Sequence, residues 1–187
     1  MPNLSVFNHV TVDGFYAGLN GEIDWFKDVH DDEWNRYAQE NASHSHNTLM
    51  FGRTTYEMMK SWWPTPAAKQ MDPGMAEVMN NSPKIVFSKR LTHAEDEPNW
   101  KNIRVFQDID PAEIRKLKRQ ENITILGSGT IIQQLTNLGL IDEYALVVVP
   151  VILGEGKSLF KAVNTTHLKL VEQRGFGNGI VLLRYQV

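Results

Sequence analysis

The sequence contains no cysteine. Disulfides, thiolate metal sites and a cysteine nucleophile are therefore excluded, while the redox compartment stays open. Surplus positive charge is also missing: 19 Lys and Arg against 22 Asp and Glu leave a net charge of −3. Without a basic footprint, no nucleic-acid partner is expected. Long hydrophobic runs are absent too. The longest, Tyr144 to Leu153, is broken by Pro150 and is far shorter than the ~20 residues of a membrane span. No membrane association is expected. The opening stretch, Met1 to His9, sets no basic residues before an apolar segment. A signal peptide is not expected, and a cytoplasmic location is the default expectation.

Several chemistries lack their residues. His44 and His46 have no metal-ligand spacing and read as solvated polar groups, so no metal is expected. A Gly-x-Ser-x-Gly elbow for a serine nucleophile is missing. Trp62-Trp63, without a basic groove around it, reads as packing and not as a stacking platform.

What is present is ordinary globular material, 187 residues with 42% hydrophobic content. That length is expected to form one domain over residues 1–187 with a proper core. Leu4 to Val12 alternates and is rich in Val, Phe and Thr, a strand, and it runs into the turn signals Asp13-Gly14 and Asn20-Gly21. The aromatic, Gly-rich section between them is of a kind that lies over ligands or plugs a core. Asp31 suits the N-cap of a helix to about Ser43, with acidic residues in its first turn. Asn47 to Phe51 reads as a strand. Thr54 and Glu57 have capping-box spacing for the helix after it. Pro64 to Pro73 reads as a loop, and Gly74 to Asn80 as a short helix. Lys84 to Phe87 and Ile103 to Phe106 read as strands around a surface loop, Thr92 to Lys101. Asp110-Pro111 caps a charged helix with proline in its first position.

The stretch Asn122 to Phe160 carries the strongest signal. A β-branched strand ends in Gly127-Ser128-Gly129-Thr130 and opens an amphipathic helix. Glycines there let backbone approach a ligand, and a helix N-terminus offers unpaired N–H groups to phosphate. The same residues also make sense as a plain tight turn. The Gly-Lys-Ser/Thr ending of a nucleoside-triphosphate loop is missing, as is the third glycine of a dinucleotide fingerprint. If the strands before Gly52 and Gly127 are parallel, two helix N-termini and Arg53 face one crevice. Ala145 to Val149 is apolar at every position, as for a strand covered on both faces. Lys169 to Arg174 and Ile180 to Gln186 read as an antiparallel hairpin. The expected architecture is α/β, with a mixed, mostly parallel central sheet, helices on both faces and a C-terminal hairpin.

In order and spacing, four groups of residues resemble the dihydrofolate reductase superfamily, and most of all its riboflavin-pathway pyrimidine reductase branch, over about residues 3 to 160. Val12-Asp13-Gly14-Phe15-Tyr16-Ala17 is similar to the loop that borders the nicotinamide. Phe51-Gly52-Arg53-Thr54-Thr55-Tyr56-Glu57 is similar to the motif that binds cofactor phosphates. Val86-Phe87-Ser88-Lys89-Arg90 resembles the strand end that receives the adenosine 2′-phosphate. Leu126-Gly127-Ser128-Gly129-Thr130, with Leu140 to Tyr144 and Pro150 to Gly156, resembles the second phosphate turn and the strand after it. Two departures stand out: Asp24 replaces the proline usual before Trp25, and Gly127-Ser128 replaces two adjacent glycines joined by a cis bond.

The resemblance implies a dihydrofolate-reductase-like fold and an NADPH-dependent reductase. Its cofactor would lie against Ala17, Gly52, Arg53, Thr54, Thr55, Ser88, Lys89, Arg90, Gly127, Ser128, Gly129 and Thr130. Its small-molecule substrate would be a pteridine- or pyrimidine-like heterocycle. Asp31, ahead of Trp34, resembles the substrate-binding acid and is equally explained as a helix cap; Asp32 and Glu33 are its substitutes. The alternative is a nucleotide-binding module without turnover. A homodimer is a further expectation, by family analogy.

Overall fold

A computed structural model describes residues 3–26, 29, 31–45 and 47–187, without the side chains of residues 43–45. His46 and the side chain of His44 therefore lie outside the described residues. The chain runs β1 (Leu4–Thr11), β2 (Phe15–Ala17), a 3-10 turn (Asp24–Phe26), α1 (Asp32–Ser45), β3 (Thr48–Gly52) and α2 (Arg53–Trp62). It continues through α3 (Pro66–Met71), α4 (Pro73–Asn81), β4 (Lys84–Phe87), β5 (Ile103–Phe106), α5 (Pro111–Gln120) and β6 (Ile123–Ile125). The last elements are α6 (Gly129–Asn137), β7 (Glu143–Val149), β8 (Lys157–Ser158), β9 (Lys169–Gly175) and β10 (Val181–Gln186). No described helix is long and apolar enough to cross a membrane.

Eight strands form one sheet in the order β5-β4-β3-β6-β1-β7-β10-β9. Strands β5 to β7 of that order run parallel, and β10 and β9 are antiparallel. The expected mostly parallel sheet with a terminal hairpin is therefore present. Strand period decides which face each residue of β1 covers. Leu4, Val6 and Val10 point to the side where Ile114 and Leu117 of α5 and Ile131, Ile132 and Leu135 of α6 fill the core. Phe7 points to the other side, toward Trp34 and Tyr37 of α1. In β7, Leu146 and Val148 join the first cluster while Ala145, Val147 and Val149 join the second. The continuous apolar run is thus a strand covered on both faces.

Three readings of the sequence need correction. Pro66–Met71 is a helix and not part of a loop: the Thr65 side chain accepts from Ala68 N–H, and Pro66 takes the first position, where its missing N–H is harmless. The Thr92–Lys101 segment is no simple surface loop, because Trp100 is fully buried against Tyr56 and Lys84. A second, two-stranded sheet of β2 and β8 was not anticipated; both strands are too short to show a pattern.

Candidate functional site

Parallel pairing of β3 with β6 brings their carboxyl ends side by side. There the Gly52 N–H donates to the Gly127 carbonyl at 3.0 Å. Contact is so close that a Cβ on Gly52 would stand 2.7 Å from Ser128 Oγ, and one on Gly127 3.2 Å from Thr55 Oγ1. Gly127 has φ +120°, outside the range of ordinary side chains, and the Gly127-Ser128 peptide is cis. Gly127 is therefore required by its backbone, and a side chain at Gly52 would have to displace the Ser128 hydroxyl.

Two helices, α2 and α6, begin at this junction. Other helices here have their first N–H groups covered by a side chain. Asp31 accepts from Trp34, Thr65 from Ala68, Asp72 from Met75 and Asp110 from Ala112. Neither α2, with Gly52 at its N-cap, nor α6, with Ser128, has a side-chain cap. The expected Thr54–Glu57 capping box does not form, because the helix begins earlier than the box requires, with Gly52 as N-cap and Thr54 already inside the first turn. Glu57 pairs with Arg53 through both oxygens at 2.8 and 2.9 Å. Thr54 is exposed and Thr55 half-buried in that first turn. In α6 the Ser128 hydroxyl meets Thr130 Oγ1 at 2.7 Å. Orphan amides and the positive ends of two helix dipoles thus converge on one spot, as anion binding requires.

Ser88, Lys89 and Arg90 follow β4, which pairs with β3 on the side away from β6. Ser88 is buried, and its Oγ accepts from the Arg90 and Leu91 amides at 3.1 and 2.8 Å, shaping the turn. Lys89 pairs loosely with Asp108 at 3.3 Å, both well exposed. Arg90 is exposed and has no ion-pair partner among the described residues. Beside them lies a cavity of about 220 Å³, lined by Phe87 and Phe106 with Asp108, Asp110 and Glu113 at its edge.

The loop after β1 is clipped in place. Thr11 Oγ1 donates to Asp13 Oδ1 at 2.5 Å, and Gly154 and Leu153 amides donate to the same carboxylate at 2.8 and 3.3 Å. The Thr11 hydroxyl, with these amides, holds the Asp13 carboxyl below its usual range. Beyond the clip, Ala17 is buried in the β2–β8 pair. Tyr16, between them, packs its ring directly on Gly129. It is part of the loop motif, yet nothing in its residue type marked it as a neighbour of the second phosphate turn.

The opposite face of β1 carries an aromatic group. His9 stacks on Phe26 at 5.0 Å and meets Trp34 and Phe7 edge-on at 5.7 and 5.8 Å. Asp31 adjoins Trp34 as the N-cap of α1, its Oδ1 accepting from the Trp34 N–H at 2.9 Å. Glu33 is engaged by Arg174 at 2.8 Å. His9 was not singled out in the sequence, although its place in an alternating strand puts it on this face. Part of the residue is still accessible, but the aromatic rings enclose the imidazole, and that desolvation lowers its pKa to about 4 from 6.5. Between those values the unfolded chain holds a proton that the folded chain does not. Stability should therefore fall as pH drops from about 6.5 to about 4, by roughly 3 kcal/mol, and level off below. His9→Phe should remove that part of the slope, and melting temperatures of both proteins across the range measure it. Parallel curves would contradict the assignment.

The family described as RibD C-terminal domain matches residues 2–182. The uncharacterized protein YyaP of Bacillus subtilis is 30% identical over 179 residues, covering 94% of this chain and 90% of the relative. A structure from Shewanella sp. PV-4, provisionally named a riboflavin biosynthesis protein, superposes with TM-score 0.75 at 20% identity, over 98% of either chain. Dihydrofolate reductase from Enterococcus faecalis, in complex with NADP(H) and RAB-propyl, gives TM-score 0.63 at 17% identity, over 98% of this chain and 95% of that one. At such identities the two structures establish the dihydrofolate-reductase-like fold alone.

Proposed function

This chain belongs to the RibD C-terminal domain family, and from that premise we propose that it is a reductase that takes hydride from NADPH to a small pteridine- or pyrimidine-like heterocycle. One observation carries the reading. Of the helices whose first turn is described above, only α2 and α6 have no cap from the side chain that precedes them, and these two begin side by side. A pyrophosphate is the kind of group that such a pair of open N-termini suits. The missing Cβ atoms of Gly52 and Gly127 let the two turns lie closely against each other. In this reading Gly52 to Thr55 and Gly127 to Thr130 hold the pyrophosphate, and Ser88, Lys89, Arg90 and Arg53 address the 2′-phosphate. Ala17 and the clipped loop border the nicotinamide, which when bound supplies the hydride. On the face with His9, Trp34 and Asp31, planar rings and a carboxylate suit a flat, nitrogen-bearing substrate.

The test is titration with NADPH followed by tryptophan fluorescence, then turnover with reducible pteridines and pyrimidines. Tight binding with turnover supports the reading. Binding without turnover of any of them favours a nucleotide-binding module, and no binding removes both. Asp31 has its own test. Asn caps a helix nearly as well as Asp, so Asp31→Asn should shift stability by only a few tenths of a kcal/mol. If the carboxylate binds or helps protonate a ring nitrogen, turnover should fall by about 10²-fold or more. Unchanged turnover would leave Asp31 as a cap alone.

A further inference from the structure

The open N-terminus of α6 already has an occupant, brought from another part of the chain. Tyr16 packs its half-buried ring on Gly129, the first residue of α6; a Cβ there would overlap Cε1 and stand 2.7 Å from Cζ. The phenol lies over the first turn of α6; burial raises its pKa, partly offset by the nearby Gly129 N–H. Ser128, which would ordinarily supply a cap, turns its hydroxyl to Thr130 instead. One loop residue thus covers an amide that, in the proposed function, a phosphate oxygen would take.

We infer that Tyr16 is a displaceable cap, holding the phosphate position of the site closed until the cofactor's pyrophosphate drives the ring off Gly129. This rests on the nucleotide reading of the site. The surroundings suit such a movement. Tyr16 belongs to β2, a strand whose pairing is confined to β8 and whose register shifts between Phe15 and Ala17. Gly14, with φ +84° and open space around its Cα, lies two residues before it, and Gly18 two after. The Asp13 clip stays outside this segment and anchors it. A neutral phenol is a weaker partner for a helix N-terminus than a phosphate anion, so the exchange runs toward the ligand when ligand is present. The cap lowers apparent affinity by the fraction of molecules in which it is closed.

The sign of an affinity change decides the matter. Binding of NADPH and of inorganic pyrophosphate is measured at fixed salt in the parent, in Tyr16→Phe, which keeps the ring, and in Tyr16→Leu, which removes both ring and hydroxyl. Loss of the cap should tighten both ligands by about three- to tenfold in Tyr16→Phe, and at least as much in Tyr16→Leu. Binding by the variants but not by the parent would support it most strongly. Weaker or unchanged binding in both variants, with the parent binding normally, would overturn the cap and leave the nucleotide reading intact. Absence of binding in all three proteins would overturn both. Melting curves of the two variants establish that each is folded.

Discussion

Arg90→Ala is expected to weaken NADPH binding by about ten- to a hundredfold while moving NADH binding by less than about threefold. A hydrogen bond to a charged group is worth about 1.5–3 kcal/mol, and the adenosine 2′-phosphate is the group that distinguishes the two cofactors. Among the cations proposed for it, Arg90 alone has no carboxylate partner among the described residues. Arg53 is held by both oxygens of Glu57. Lys89 faces Asp108, but at 3.3 Å and with side chains 82% and 73% exposed that pair is weak. The expected order of loss is therefore Arg90, then Lys89, then Arg53. Lys89→Ala combined with Arg90→Ala should nearly close the gap between the cofactors. Affinities at one salt concentration measure this. Equal parental affinities, or an equal loss for both cofactors, would refute the 2′-phosphate assignment.

Lys84→Ala is expected to destabilise the fold by about 3–5 kcal/mol, the loss typical of stranding a buried polar network and opening a cavity. Lys84 is fully buried at the start of β4. Its ammonium donates to the carbonyls of Asn80, Ser82 and Lys101 at 3.1, 2.7 and 3.3 Å and lies 4.2 Å from the Trp100 ring centre. Burial lowers its pKa to about 8, so the group is charged at neutral pH. One side chain thereby ties the end of α4, the first residue of β4 and the segment before β5. Lys84→Met keeps the stem and strands only the carbonyls, so about half that loss is expected. Chemical denaturation of both variants checks the values. A loss below about 1 kcal/mol for Lys84→Ala would show that the network contributes little.

Local chemistry was legible wherever one residue dictates backbone. Asp110-Pro111 announced a helix start, Gly127 a tight turn from strand to helix, and the pattern of Ala145 to Val149 a strand with two covered faces. The same Asp-Pro logic applies at Thr65-Pro66 and Asp72-Pro73, where both prolines open helices. There three prolines within ten residues masked the signal and read as breakers. Parts of the site that depend on distant partners were out of reach. The Thr54–Glu57 box failed because the helix starts at Arg53, which puts Thr54 inside the first turn. Nothing local says that Trp100 goes inside with Lys84, or that Tyr16 lands on Gly129. The resemblance pointed to the residues proposed for the cofactor; that neither helix N-terminus beside them is capped by its own N-cap side chain is visible only in three dimensions.

The place of β1 has a bearing on how the chain is made. Its partners on either side are β6 and β7, so Leu4 is paired with Ile123 and Thr11 with Val149. A nascent chain emerging from the ribosome carries this central strand for more than a hundred residues before either neighbour exists. Its Leu, Val and Phe side chains must wait in the open, or in a chaperone, while β3 and β4 can already associate with each other. Such long-range closure slows folding and prolongs exposure of aggregation-prone surface. Within this sheet β1 is therefore made before every other strand, yet it is expected to be among the last of them to pair.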